Sequence, residues 1–305
     1  MRRIKPYLQL VRLPNLFTAA ADPLAGWLLV GGSLGDAGGW APLVAAGVAT
    51  YAAGMVLNDV FDFEVDRVER PGRPLPSGRV SRRLAALAGV VLLISGPALA
   101  AISGATAAGV ASVLAACVLA YDAGLKRTVL GPEVMGACRA LNLLLGMTAD
   151  PRLGGPAGWL AAAAFGLFVC GITWISRDEA RVDAVQGRRR GVVAGMAVQD
   201  VALLGLLMAC FQIVPFPHGD ASRPSALLLG SVVLCVTAWV VNHADVRAVR
   251  EPTPGRIQAA VKAGVLSLVW LDVGVVASVR GVMPALAVAA LWLPAFLLGR
   301  WLYST

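Results

Sequence analysis

The chain reads as an all-α polytopic membrane protein, a helical bundle of nine to ten transmembrane helices, and three observations carry that reading. Hydrophobic residues fill 58% of its 305 positions and charged residues only 14%, with a mean hydropathy of +0.73, values foreign to soluble domains. Apolar runs of about twenty residues, the length that crosses a bilayer's hydrocarbon core, recur along the whole sequence. Basic residues gather in alternate connections between those runs, as they do on the cytoplasmic face of a membrane.

The first run, 13–33, follows a basic start but contains Asp22-Pro23 and lacks a small-residue cleavage site, so it is expected to remain as a span and not to act as a removable signal. Runs at 41–57, 84–103, 105–121, 132–149, 156–175, 191–213 and 224–246 follow. Only Val279-Arg280-Gly281 divides the last two, 257–279 and 282–301, so the count stands at nine or ten. A backbone in lipid must satisfy its own hydrogen bonds, which makes each run a helix and excludes an open sheet. The many Gly and Ala residues inside the runs are what close helix packing in lipid requires.

Orientation follows from where the net charge of +8 lies. Alternate connections carry Arg2/Arg3/Lys5/Arg12, Arg67 to Arg83, Lys126/Arg127, Arg177 to Arg190 and Arg247/Arg250/Arg256, whereas the opposite ones hold little more than Arg152, Arg223 and Arg280. The N-terminus and the basic loops are therefore expected to be cytoplasmic, and with ten spans the C-terminus too. The expected location is the inner (plasma) membrane of a bacterial cell, with the lipid bilayer as partner and no nucleic acid; the sequence does not set the oligomeric state. The five cysteines lie singly inside runs, with neither metal spacing nor a disulfide framework, and His218 and His243 have no partners spaced as metal ligands.

Chemistry is concentrated in Asn58-Asp59-Val60-Phe61-Asp62-Phe63-Glu64-Val65-Asp66, where an apolar run meets a basic loop. Aspartates at i, i+3 and i+7 stack along one side of a helix. Three such charges repel unless something strongly cationic sits among them, and hard oxygen ligands select Mg2+, with Mn2+ as a possible substitute. The arginines that follow, Arg67, Arg70, Arg73 and Arg79, offer donors suited to phosphate oxygens. Carboxylates, a divalent ion and arginines together point to a diphosphate site at a membrane surface. A second acidic cluster, Ser176-Arg177-Asp178-Glu179-Ala180-Arg181-Val182-Asp183, ends the sixth run on the same expected face. Glu179 and Asp183 share a helix face at i, i+4.

These residues resemble the UbiA superfamily of intramembrane prenyltransferases. Its first signature, N-D-x-x-D-x-x-x-D, is met at Asn58, Asp59, Asp62 and Asp66, and Asp66 to Gly78 resembles its arginine-proline loop. Tyr121 to Arg127 is similar to its Tyr/Lys motif, and Gly136, Arg139, Asn142 and Gly146 resemble its fifth helix. The second motif, usually D-x-x-x-D, is here Glu179-x-x-x-Asp183 aligned on Gly187, which marks a divergent branch.

The resemblance implies one transmembrane prenyltransferase domain over residues 1–305, a UbiA-like bundle around a cavity open to the cytoplasmic side. It implies Mg2+-dependent transfer of a polyprenyl group from its allylic diphosphate to a small acceptor, aromatic or polyol-like. Asp59, Asp62, Asp66, Glu179 and Asp183 are then the metal ligands. Asn58, Arg67, Arg73, Lys126 and Arg189 face diphosphate oxygens, and Tyr121 meets the leaving group or the allylic cation. Plainer readings stand beside these: Tyr121 and Lys126 as interfacial anchors, Arg73 as a shaper of its loop.

A charge near the bilayer centre costs about 2.5–3.5 kcal/mol on insertion scales, so Asp22, Arg139, Asn142, Gln199, Asp200 and Asp272 should face protein or a wet cavity. Arg139, Asn142 and Asp200 read as acceptor-side groups or, alternatively, as pairs between helices, such as Arg139 with Asp22 or Asp200. Acceptor identity and prenyl length stay open. An intramembrane terpene cyclase would share the ionisation step, and a transporter would spread its charges over several depths. A CDP-alcohol phosphotransferase would need an Asp-Gly pair followed by Ala-Arg, absent from Asp59 to Arg70.

Overall fold

Each of the ten apolar runs falls on helix in the computed structural model, which describes residues 4–177, 185–212 and 223–302. The helices are α1 (Lys5–Leu10), α2 (Leu13–Leu29), α3 (Ala37–Phe61), α4 (Phe63–Glu69), α5 (Arg82–Ala100), α6 (Ala105–Ala123), α7 (Gly131–Met147), α8 (Gly155–Arg177), α9 (Val185–Gln212), α10 (Arg223–Arg250), α11 (Pro254–Arg280), α12 (Val282–Ala289) and α13 (Trp292–Leu302). No strand occurs among the described residues. Among the described residues, eight helical segments are long and apolar enough to cross a membrane. The other two runs, in α2 and α7, form helices of 17 residues each, about 26 Å at 1.5 Å per residue, a little under the hydrocarbon thickness. The tenth run is broken between α12 and α13.

The short helices α2 and α7 occupy the middle of the bundle. Helix α2 packs on α3, α7, α11 and α13, and α7 packs on α2, α6 and α8; α3, α5 and α6 flank one side and α8 to α11 the other. Their sequences explain the placement, since α2 and α7 carry Asp22, Arg139 and Asn142, which lipid would not tolerate. Helices α5 and α10 instead expose Leu84, Leu87, Ile94, Leu228, Val236 and Trp239, the surface a bilayer solvates.

Glycine sets the approach of the central pair. A Cβ on Gly146 would fall 2.0 Å from the carbonyl oxygen of Pro23, and one on Gly26 would fall 2.2 Å from that of Leu143, so backbone meets backbone where α2 crosses α7. Gly136 and Gly166 do the same between α7 and α8. Such contacts replace the hydrophobic drive that lipid removes.

Asp22 ties three helices together at this crossing. Its Oδ2 forms an ion pair with Arg139, 2.8 Å from Nε, and accepts from the Asn142 amide at 2.8 Å, while Arg139 and Asn142 donate to the carbonyls of Thr18 and Ala19. The carboxyl of Asp272, from α11, faces Asp22 in the same buried spot. The pairing of Arg139 with Asp22 is thus realised, and the pairing with Asp200 is not.

The basic connections meet at one end of the bundle. Arg12 reaches Asp59, Lys126 reaches Asp62, and Arg177 reaches the carbonyls of Lys126, Thr128 and Val129. Ile175, Val192, Ala248 and Ile257 pack together and bring the α10–α11 turn to the same end.

Candidate active site

Where α3 ends, the chain does not continue as one straight helix. Asp62 separates α3 from α4 with φ −86° and ψ 5°, yet Asp62 N–H still bonds the Asn58 carbonyl and Asp66 N–H the Asp62 carbonyl. The helical path is bent and not lost, so Asp59 and Asp66 still share a side. Both are buried, and Arg73 Nη1 lies between them, 3.4 Å from Asp59 Oδ1 and 2.6 Å from Asp66 Oδ2. Arg12 adds a second cation 3.8 Å from Asp59. Asp62 turns to another pair of bases, with Lys126 Nζ at 2.8 Å and Arg127 at 3.6 Å.

The arginine-proline loop is built to present Arg73. Leu75 and Val80 are buried against Leu10, Val56 and Ala85. Arg79 closes the loop by donating to the Gly72 carbonyl and, at 2.8 Å, to Ser77 Oγ, and Ser77 in turn donates to the Arg73 carbonyl at 2.6 Å. Arg67 is not brought to the cluster: it is exposed and pairs with Glu64 at 3.5 Å, which Arg82 also approaches at 3.6 Å.

Beneath the carboxylates lies a cavity of about 370 Å³ between α2, α3, α6, α7, α8 and α11. Arg12, Asn58, Tyr121 and Asp122 line one end, and Thr18, Thr50, Arg139 and Asn142 line the deeper part. Leu114, Val118, Met135, Val169, Ile172 and Leu268 supply apolar wall. Asn58 donates to Asp122 Oδ1 at 2.9 Å, which ties the end of α3 to the end of α6.

The predicted site residues are therefore distributed unevenly. Asn58, Asp59, Asp62, Asp66, Arg73, Tyr121 and Lys126 gather at one end, with Arg139 and Asn142 deeper in the same cavity. Asp200 does not line that cavity; it accepts from Asn242 at 2.8 Å, between α9 and α10. Arg189 is exposed in the first turns of α9. Glu179 and Asp183 lie outside the described residues, as does the separation between the two acidic clusters. The sequence pattern alone does not mark Arg12 and Asp122 as members of the site. Asp122 lies inside the Tyr121–Arg127 segment, and its acidity at the end of an apolar run is the available signal.

Among the described residues no three His, Cys, Asp or Glu side chains stand close enough together to hold a metal ion. The reason is visible in the ion pairs, which draw Asp59 and Asp66 to Arg73 but Asp62 to Lys126. The donor set still suits a hard cation, because two buried carboxylates converge on one positive point, Arg73 Nη1.

The sequence model of the UbiA prenyltransferase family matches residues 23–256, most of the chain. This protein belongs to the UbiA prenyltransferase family. Among similar UbiA relatives, the digeranylgeranylglyceryl phosphate synthase of Methanopyrus kandleri is 28% identical over 275 residues, 86% of this chain and 96% of that one. The digeranylgeranylglyceryl phosphate synthase of Halobacterium salinarum is 34% identical over 272 residues, 85% and 92% of the two chains. The fold matches the apo structure of a UbiA homolog from Aeropyrum pernix K1 with a TM-score of 0.65 at 20% identity, over 85% of this chain and 96% of that one. A UbiA homolog from Archaeoglobus fulgidus, solved with GPP and Mg2+, aligns with a TM-score of 0.55 at 15% identity over 85% and 98%.

Proposed function

We propose that this UbiA protein transfers a polyprenyl group from an allylic diphosphate to a hydroxyl-bearing, polyol-like acceptor at the cytoplasmic end of its cavity, releasing diphosphate. One observation carries the reading: Asp59, Asp62 and Asp66, with Arg12, Arg73 and Lys126, stand over the mouth of an intramembrane cavity whose walls are largely apolar. Relatives named for making digeranylgeranylglyceryl phosphate support a polyol-derived acceptor.

Asp59, Asp62 and Asp66 would hold Mg2+, with Glu179 and Asp183 completing the set from the segment that follows Arg177. When bound, the ion supplies Lewis-acid stabilisation of the negative charge that builds on departing diphosphate. Arg73 and Lys126 exchange their carboxylate partners for diphosphate oxygens, where charge-assisted bonds are strong. Arg12, already at both Asp59 and the cavity, closes the same group from the N-terminal side. Tyr121 presents its ring to the allylic carbon, where a π face stabilises positive charge. The prenyl chain lies against Leu114, Val118 and Ile172, away from water that would otherwise capture it.

Lipid mass spectrometry of membranes incubated with geranylgeranyl diphosphate, Mg2+ and a panel of acceptors tests this. A prenylated alcohol is expected. A cyclised hydrocarbon formed without acceptor would instead make the protein a terpene cyclase, and no consumption of the diphosphate would refute both.

A further inference from the structure

Transfer to an alcohol leaves a proton that must go somewhere, and the cavity contains one group placed to take it. Asp122 is the only acidic side chain among the described residues that line the cavity. It is 4% exposed. Its Oδ1 is held by the Asn58 amide at 2.9 Å, and its Oδ2 is buried with no hydrogen-bond partner. The nearby carboxylates differ, because Asp59, Asp62 and Asp66 each sit within 4 Å of Arg12, Arg73, Lys126 or Arg127. A buried carboxylate oxygen without a donor is costly, and such a group in a cleft is where a ligand's donor belongs.

We propose that Asp122 is the catalytic base of the transfer, accepting through Oδ2 the proton of the acceptor hydroxyl. This rests on the prenyl-transfer reading above. The carbon–oxygen bond to diphosphate breaks and its electron pair leaves with diphosphate. A lone pair of the acceptor oxygen forms the new bond to the allylic carbon, and the O–H proton passes to Asp122. Asn58 is a positioning residue, since its amide fixes Oδ1 and leaves Oδ2 as the oxygen without a donor, and its own place beside Asp59 couples capture to the diphosphate end. The same arrangement selects the acceptor class: a free carboxylate oxygen attracts an O–H donor and repels an aromatic acid. Arg139, the cation deeper in the cavity, is already paired with Asp22 and offers such an acid little compensation.

The test uses the protein in lipid vesicles with geranylgeranyl diphosphate and Mg2+, and two alcohol probes: glycerol, and a glyceryl phosphate bearing one geranylgeranyl group. Prenyl ether and prenyl alcohol are quantified together, because water competes for the cation. Asp122→Asn retains an acceptor oxygen for Asn58, and it should lower the ether-to-alcohol ratio at least tenfold. Asp122→Glu should recover part of the ratio. A merely structural role would lower both products together. If Asp122→Asn does not accumulate in membranes, Asp122→Ser gives the same readout. An unchanged ratio in whichever of these variants is measured overturns the assignment. Wild-type protein that releases diphosphate but makes no ether overturns the alcohol class and the base with it. Wild-type protein that releases no diphosphate overturns prenyl transfer itself.

Discussion

Asp59→Ala and Asp62→Ala should each lower diphosphate release by at least about a hundredfold, the scale on which loss of one preorganised charge-stabilising group is felt. Folding should survive both changes. Without Asp59, Arg73 keeps its 2.6 Å contact with Asp66, and the loop stays pinned by buried Leu75 and Val80. Without Asp62, Lys126 and Arg127 lose a partner at a position where the carboxylate side chain is still 23% exposed. Turnover under saturating substrate, with the elution profile in detergent as the folding control, checks the pair. Near wild-type turnover in either variant would remove that carboxylate from the account.

Arg139→Gln should behave in the opposite way and act first on stability. Asp22 has no solvent exposure, and removing the Arg139 guanidinium leaves its buried carboxylate beside Asp272 with only the Asn142 amide. Breaking a buried pair from one side costs about 3–5 kcal/mol. Unfolding in mixed detergent micelles should report a loss of that order, and Asp22→Asn in the same protein should restore more than half, since the two residues touch and their effects are not additive. A variant that is stable but inactive would show that Arg139 serves the acceptor and not the crossing of α2 and α7.

How far the sequence carried depends on which physical signal each feature leaves. Hydropathy placed all ten helical runs, because lipid leaves the backbone no alternative. It did not foresee the bend at Asp62, since Phe61-Asp62-Phe63 contains neither Pro nor Gly and the helical spacing of the aspartates runs straight through it. Spacing likewise grouped Asp59, Asp62 and Asp66 but did not reveal that Arg73 would take two of them and Lys126 the third. Arg73 and Arg67 looked equivalent as loop cations; only the fold shows one turned inward by the anchored loop and the other paired with Glu64 on the surface. Asp200 and Arg139 looked alike as charges within spans. A single sequence gives their depth but not which neighbour each helix turns toward; of the two readings open for Asp200, a cavity group or a pair between helices, the structure shows the pair, with Asn242, and not the cavity. Asp122 leaves little trace in the sequence, because one acid in a small motif carries no spacing pattern and its tie to Asn58, 64 positions away, exists only in three dimensions.

In the proposed reaction the acidic cluster at the end of α3 ionises an allylic diphosphate with the help of a divalent ion. Diphosphate release by the purified protein from geranylgeranyl diphosphate, measured with Mg2+ and again in excess EDTA, tests it most directly. Release with Mg2+, near-complete loss in EDTA and recovery when Mg2+ is restored are expected. Substantial release in EDTA would contradict it.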